Sequence, residues 1–236
     1  LLIGWNSRAA RIITLLDRLV EPGSILDIAA PQAPADVLDI PRDNLTISYK
    51  ACRPTSRRSL ESLGLGHYRH IVVLSNDALD PDDADDRTLV TLLHLRDIEV
   101  RLGDPYSIVT EMNDDNNREV AQVTKADDFI VSNKMISLLL TQLAENRQLH
   151  AVFTQLFEPE GSEIYLKRAT DYLVPGATAD FATVIEAARR RGETAIGYRL
   201  KGHSDRGPAY GVTLNPPKTR SLTLNPDDSV IVLAES

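Results

Sequence analysis

The chain has 236 residues, with 26 Lys and Arg against 34 Asp and Glu, for a formal net charge of −8. Apolar residues make up 42% and charged residues 25%, a globular balance that excludes global disorder. The acidic excess excludes general nucleic-acid binding, and the single cysteine, Cys52, excludes both an internal disulfide and a thiolate zinc site.

No apolar run approaches the ~18 residues of a membrane helix. The chain opens on Leu1-Leu2-Ile3-Gly4, without methionine, and is expected to be a piece of a larger protein. Leu1–Trp5 is a short apolar run. Ile12, Leu15, Leu16 and Leu19 then recur at helical spacing, with Asn6 or Ser7 as the expected cap and Pro22-Gly23 as the stop. Ser24–Ala29 and Asn44–Tyr49 read as strands, and Pro54–Leu63 as a short helix. The continuous run Ile71-Val72-Val73-Leu74 fits a strand buried on both faces.

Pro81 and the acids around it open a helix expected to reach about Glu99, since carboxylates favour a helix N-terminus. Tyr106–Glu111 follows as a strand, Asp114–Val123 as a helix and Phe129–Val131 as a last short strand. This alternation predicts a Rossmann-like α/β fold: a parallel sheet with helices on both faces. A helix over 133–147 is apolar around much of its circumference, through Met135, Ile136, Leu138, Leu139, Leu140 and Leu143. Such a helix is either central to the fold or packed on another subunit. A second helix is expected over Leu149–Phe157.

Glu158-Pro159-Glu160-Gly161-Ser162 punctuates the chain and marks a domain boundary. Beyond it lie a strand at Glu163–Lys167 and a helix capped by Asp180, with Arg189–Arg191 in its last turn and Gly192 behind it. Strands at Thr194–Leu200, Gly211–Leu214 and Ser229–Leu233 complete a small α+β lobe.

Two kinds of chemistry are worth testing against these elements. A dinucleotide site needs glycines in the first strand–helix turn and an acid at the end of the second strand. The turn reads Gly4-Trp5-Asn6-Ser7-Arg8, and the second strand ends Ile28-Ala29-Ala30. Both requirements fail, so NAD is not the expected cofactor. A cation site is the second candidate. Asp77, Asp80, Asp82, Asp83, Asp85 and Asp86 follow one strand, while Glu111, Asp114 and Asp115 follow another. Loops at the carboxyl ends of parallel strands share an edge, and hard cations such as Ca2+ want six to eight oxygens. Asp77, Asp80, Asp82, Asp83, Asp86, Glu111, Asp114 and Asp115 are the candidate metal ligands, and the plainer alternative is a solvated, acid-rich helix start. The five histidines show no ligand spacing, and no nucleophile elbow is present.

Several longer stretches carry a family resemblance: Leu2–Asn6, Val109–Met112, Ala126–Asn133, Gln142–Arg147 with Glu158–Tyr165, Phe181–Arg191, Ile196–Leu200 and Gly211–Pro216. Across nearly its whole length the chain resembles the RCK domains, regulators of K+ conductance, of CASTOR/POLLUX-type ion channels and their bacterial relatives. The resemblance implies a Rossmann-like N-lobe over 1–131, a crossover helix pair over 132–158 and a C-lobe over 159–236. It implies that Ile136, Leu139, Leu140 and Leu143 lie in an intersubunit interface. It further implies a homo-oligomeric gating ring on the cytoplasmic side of a membrane, coupled to a pore in the parent chain and regulated by Ca2+, with no enzymatic activity. Two alternatives stand beside this reading: a nucleotide-sensing subunit of a K+ uptake system, and a degenerate NAD-binding enzyme.

Overall fold

A computed structural model describes residues 1–235, apart from 36, 104–105, 115–116, 118–127, 147, 159 and 205–208. The chain divides into two compact units, Leu1–Glu145 and Asn146–Ser236. The division falls inside the segment expected as the crossover helix pair.

The first unit is built on six strands: β1 (Leu2–Ile3), β2 (Ser24–Ala30), β3 (Leu45–Ala51), β4 (His70–Val73), β5 (Ser107–Met112) and β6 (Asp128–Val131). They pair in parallel throughout, in the order β3-β2-β1-β4-β5-β6. This is the doubly wound order of nucleotide-binding folds, with its switch point between β1 and β4. Among the described residues, four helices accompany the sheet: α1 (Ala9–Leu19), α2 (Arg57–Glu61), α3 (Pro81–Leu102) and α4 (Ser132–Glu145). The expected helix at 114–123 lies mostly outside the described residues.

Strands β1 and β4 are apolar on both faces, and the alternation of side chains along the sheet feeds two cores. Ile3, Ala29, Ile71, Val73 and Ile108 face one core with Leu60 of α2 and Leu92, Leu95 and Ile98 of α3. Leu2, Leu26 and Ile28 face the other with Ala9 and Ile13 of α1. Polar anchors fix the connections. The buried Asp17 carboxylate on α1 accepts the amides of Asp43 (2.8 Å), Asn44 (2.9 Å) and Leu45 (2.7 Å), which holds the start of β3. On β2, Asp27 is 8% exposed and accepts from Ser48 Oγ at 2.5 Å, Lys50 Nζ at 2.7 Å and the Tyr68 hydroxyl. Burial alone would raise its pKa, but the hydrogen bonds from Lys50, Ser48 and Tyr68 pull it down to about 2.

Helix α3 starts as expected. The Asp80 carboxylate accepts the Asp82 amide at 3.2 Å, and Pro81 occupies the first turn. It runs past Glu99 to Leu102 and ends at Gly103. On α4, Ile136 and Leu140 are 55% and 62% exposed, and Leu139 and Leu143 are half-buried.

The second unit holds α5 (Leu149–Phe157), β7 (Ser162–Arg168), β8 (Thr178–Asp180), α6 (Phe181–Arg189), β9 (Thr194–Arg199), β10 (Val212–Leu214), β11 (Ser221–Thr223) and β12 (Ser229–Glu235). Four strands form an antiparallel sheet ordered β10-β9-β12-β7. Strands β8 and β11, absent from the sequence expectation, pair as a separate two-stranded sheet. Asp180 caps α6 by accepting the Thr183 amide at 2.9 Å. Phe181, Val184 and Ala188 of α6 then close a core with Tyr198, Leu224, Val230 and Val232. Gly197 is required in β9, because a Cβ there would stand 2.2 Å from the Thr213 carbonyl oxygen. Among the described residues, no helix is long and apolar enough to cross a membrane.

Candidate functional site

The sheet edge at the carboxyl ends of β1, β4 and β5 is where a doubly wound fold binds ligands. The β1–α1 turn crosses it. Gly4 takes φ +90°, and a Cβ there would meet the Leu74 carbonyl oxygen at 2.8 Å. The one glycine left in the turn thus lets it rest on the end of β4. It does not open a phosphate cradle.

The helix start beyond Gly4 is engaged by the chain's own groups. Asn6 is buried. Its Oδ1 accepts the Arg8 amide at 3.0 Å, and its Nδ2 donates to the Ser75 carbonyl and to Glu111 Oε2, both at 2.9 Å. Asn6 therefore closes the turn that leads into α1, while the Ser7 amide donates to Asp77 Oδ2 at 2.8 Å. Arg8 Nη2 pairs with Glu111 Oε1 at 2.6 Å, and the Ser75 amide donates to Glu111 Oε2 at 3.3 Å. The Ser7 hydroxyl and amide, with the Arg8 charge nearby, hold the Asp77 carboxyl below the usual carboxylate range. Donors that cradle a pyrophosphate in a dinucleotide fold are here given to Asp77 and Glu111.

The remaining acids lie apart from this pair. Asp80 caps α3. Asp82, Asp83 and Asp86 are exposed along its first turns. Asp85 is fully buried and ties down the loop after β5, accepting the amides of Asn113 (2.9 Å) and Asp114 (3.0 Å) and the side-chain amides of Asn113 and Asn117 (both 3.0 Å). Asp114 thus sits beside Asp85, and Asp115 lies outside the described residues. Among the described residues, no three His, Cys, Asp or Glu side chains gather as a metal-binding group. The described acids are brought to one edge without the several converging carboxylates of a ready-made Ca2+ centre. Charge density was visible in the sequence. That Asp77, Asp80 and Glu111 each hold a donor of this chain depends on partners up to 105 residues away.

Beside the turn lies a cavity of about 580 Å3, walled by residues including Ile3, Trp5, Pro31, Pro34 and Leu74 and edged by Arg53 and Arg87. Ala30 lies where a ribose-binding acid would be expected. Trp5 and Ala30 stand out in the sequence as departures from the dinucleotide pattern, whereas Arg53 and Arg87 belong to no recognisable motif.

No family model matches the chain. It is similar over its whole length to the ion channel CASTOR of Lotus japonicus, at 29% identity over 274 positions that cover 31% of that protein. It is likewise similar to a probable ion channel CASTOR of Oryza sativa subsp. japonica, at 27% identity and 30% of that protein. A probable ion channel POLLUX of Arabidopsis thaliana matches at 25% identity, over all of this chain and 33% of that one. The chain spans about a third of the length of these relatives. Solved structures similar to it include a GsuK RCK domain (18% identity, TM-score 0.46, all of this chain and 43% of that one) and a GsuK channel bound to NAD (18%, 0.45, 36% of that chain). The chain is a relative, over its whole length, of one segment of the CASTOR/POLLUX-type ion channels.

Proposed function

We propose that the chain is an RCK-type regulatory module of a cation channel, acting on the cytoplasmic side of a membrane and assembling as a homo-oligomeric ring coupled to a pore. The observation that carries this reading is the end-to-end similarity to ion channels of the CASTOR and POLLUX type. The organisation proposed with it is a lobe over 1–131, a crossover helix pair over 132–158 and a second lobe over 159–236. The exposed apolar residues of α4 support a partner surface there. The role is regulatory, not catalytic: the buried polar groups at the sheet edge tie turns together. Regulation by Ca2+ belongs to the proposal through the resemblance, since the described acids do not form a preformed centre for it.

A ligand can shift a channel only by as much as it prefers one conformation of its sensor. The test follows from this. The chain replaces the matching segment of the Lotus japonicus CASTOR channel, and currents are recorded in lipid bilayers across a Ca2+ titration. Ca2+-dependent open probability that is lost when the inserted chain carries Glu111→Gln supports both parts. Currents that ignore the inserted chain altogether overturn the regulatory reading. Gating that depends on the chain but not on Ca2+ removes the cation and keeps the module.

A further inference from the structure

Among the described residues, the four-stranded sheet of the second unit ends in two open edges, and they differ. At one edge, β10 has three residues and is followed by Asn215-Pro216-Pro217. A short edge ended by proline gives another chain little to pair with. At the other edge, β7 runs over seven residues without proline or glycine, and all seven pair with β12 without a bulge. None of the seven is buried, whereas Val230, Ile231 and Val232 of the neighbouring β12 are. Among the described residues, the backbone of β7 bonds to no segment besides β12. Every second residue of such a strand points its amide and carbonyl away from its neighbour, ready for another strand.

The sequence of β7 complements its own reverse. It reads Ser162-Glu163-Ile164-Tyr165-Leu166-Lys167-Arg168. Two copies laid antiparallel about a two-fold axis at Tyr165 set Glu163 opposite Lys167 and Ile164 opposite Leu166, each pair twice. Facing opposite charges and facing apolar side chains both stabilise an antiparallel pair. A parallel pairing in register would instead set Glu163 on Glu163 and Lys167 on Lys167. Lys167 already donates to Glu193 at 2.8 Å, and its three N–H donors leave room for a second carboxylate. Ile164 and Leu166 are 43% and 51% exposed, so the pairing shields four apolar side chains from water.

We propose that β7 pairs with β7 of a second copy of the chain, antiparallel about Tyr165, and joins two four-stranded sheets into one of eight strands. One patch meets itself, so the contact closes as a pair and does not propagate. The proposal rests on the homo-oligomeric part of the reading above and names a contact within it.

Two charge variants of the 236-residue chain test it, read by hydrogen exchange at the β7 amides that do not donate to β12. Ile164→Lys with Leu166→Lys sets lysine against lysine at both positions, and Ile164→Glu with Leu166→Glu sets glutamate against glutamate. Both side chains are exposed, so circular dichroism should show each variant folded. In the parent chain at about 500 μM, the outer β7 amides should exchange at least about tenfold more slowly than in either variant alone. An equimolar mixture of the variants sets lysine against glutamate throughout and should regain that protection. Outer β7 amides that exchange as fast in the parent as in the variants, or a mixture no better protected than its parts, overturn the pairing. Sedimentation velocity on the same parent sample separates the two readings. An oligomer with freely exchanging β7 amides overturns the strand pairing alone, and a monomer at that concentration overturns the pairing together with the homo-oligomer.

Discussion

Asp27 shows how a single carboxylate ties three segments of the first unit together. It sits in the middle of a strand that is otherwise apolar, Ser24–Ala30, and would be costly there without partners. Lys50 and Ser48 reach it from β3, and Tyr68 from the segment before β4. Lys50 also donates to the Tyr68 hydroxyl at 2.7 Å, so the acid, base and phenol form one closed set. The folded pKa of Asp27, about 2, lies below its ordinary value of 3.8. A depressed carboxyl stabilises the fold when ionised. Its contribution is therefore complete above about pH 4 and is lost as pH falls through 2. The size is about 2 kcal/mol by linkage. Asp27→Asn should lower unfolding free energy by roughly that amount at pH 7, and the gap to the parent chain should narrow between pH 4 and pH 2. Urea denaturation across that range checks it. A gap that stays constant down to pH 2 would show that the variant acts through packing alone.

At the scale of elements, α4 is the outlier. Helices α1, α3 and α6 each turn apolar residues into a core. On α4 the apolar residues are spread too widely for one stripe, and Ile136 and Leu140 remain more than half exposed. The sequence left two explanations open, a central helix or a subunit contact. The exposure disfavours the first. If α4 packs on a second copy of the chain, Ile136→Glu with Leu140→Glu should convert an oligomer to a monomer in sedimentation velocity, without loss of helix signal. A parent chain that sediments as a monomer at 100 μM would sink the interface. Long elements were legible because periodicity accumulates over ten or more residues. Strands β8 and β11, with three residues each, carry no such signal, and their pairing depends on a contact across some forty residues. The acids illustrate a different limit. Their number and neighbourhood could be read from the chain, but Asp85 turned inward to hold Asn113 and Asn117 while Asp82, Asp83 and Asp86 turned to solvent. Identical residue types within five positions took opposite roles because one position of the helix faces the β5 loop.

On the scale of the whole chain, each unit closes a hydrophobic core of its own. That of the second unit centres on Phe181, which is 2% exposed and lies 6.3 Å from the Tyr198 ring. Deleting a buried Phe side chain costs about 3–5 kcal/mol, a large part of the 5–15 kcal/mol that holds a typical domain. Units with separate cores should respond separately to such a loss. Trp5 is the single tryptophan and belongs to the first unit, so its fluorescence reports that unit alone. Backbone amides of β7, β9 and β12 report the second. In Phe181→Ala, hydrogen exchange of those amides should accelerate by about two orders of magnitude or more, as 3 kcal/mol requires. The thermal transition seen by Trp5 should move by less than about 2 °C. A Trp5 transition that falls together with the exchange protection would mean that the two cores unfold as one cooperative body, and the division at Glu145 would then be one of geometry and not of energetics.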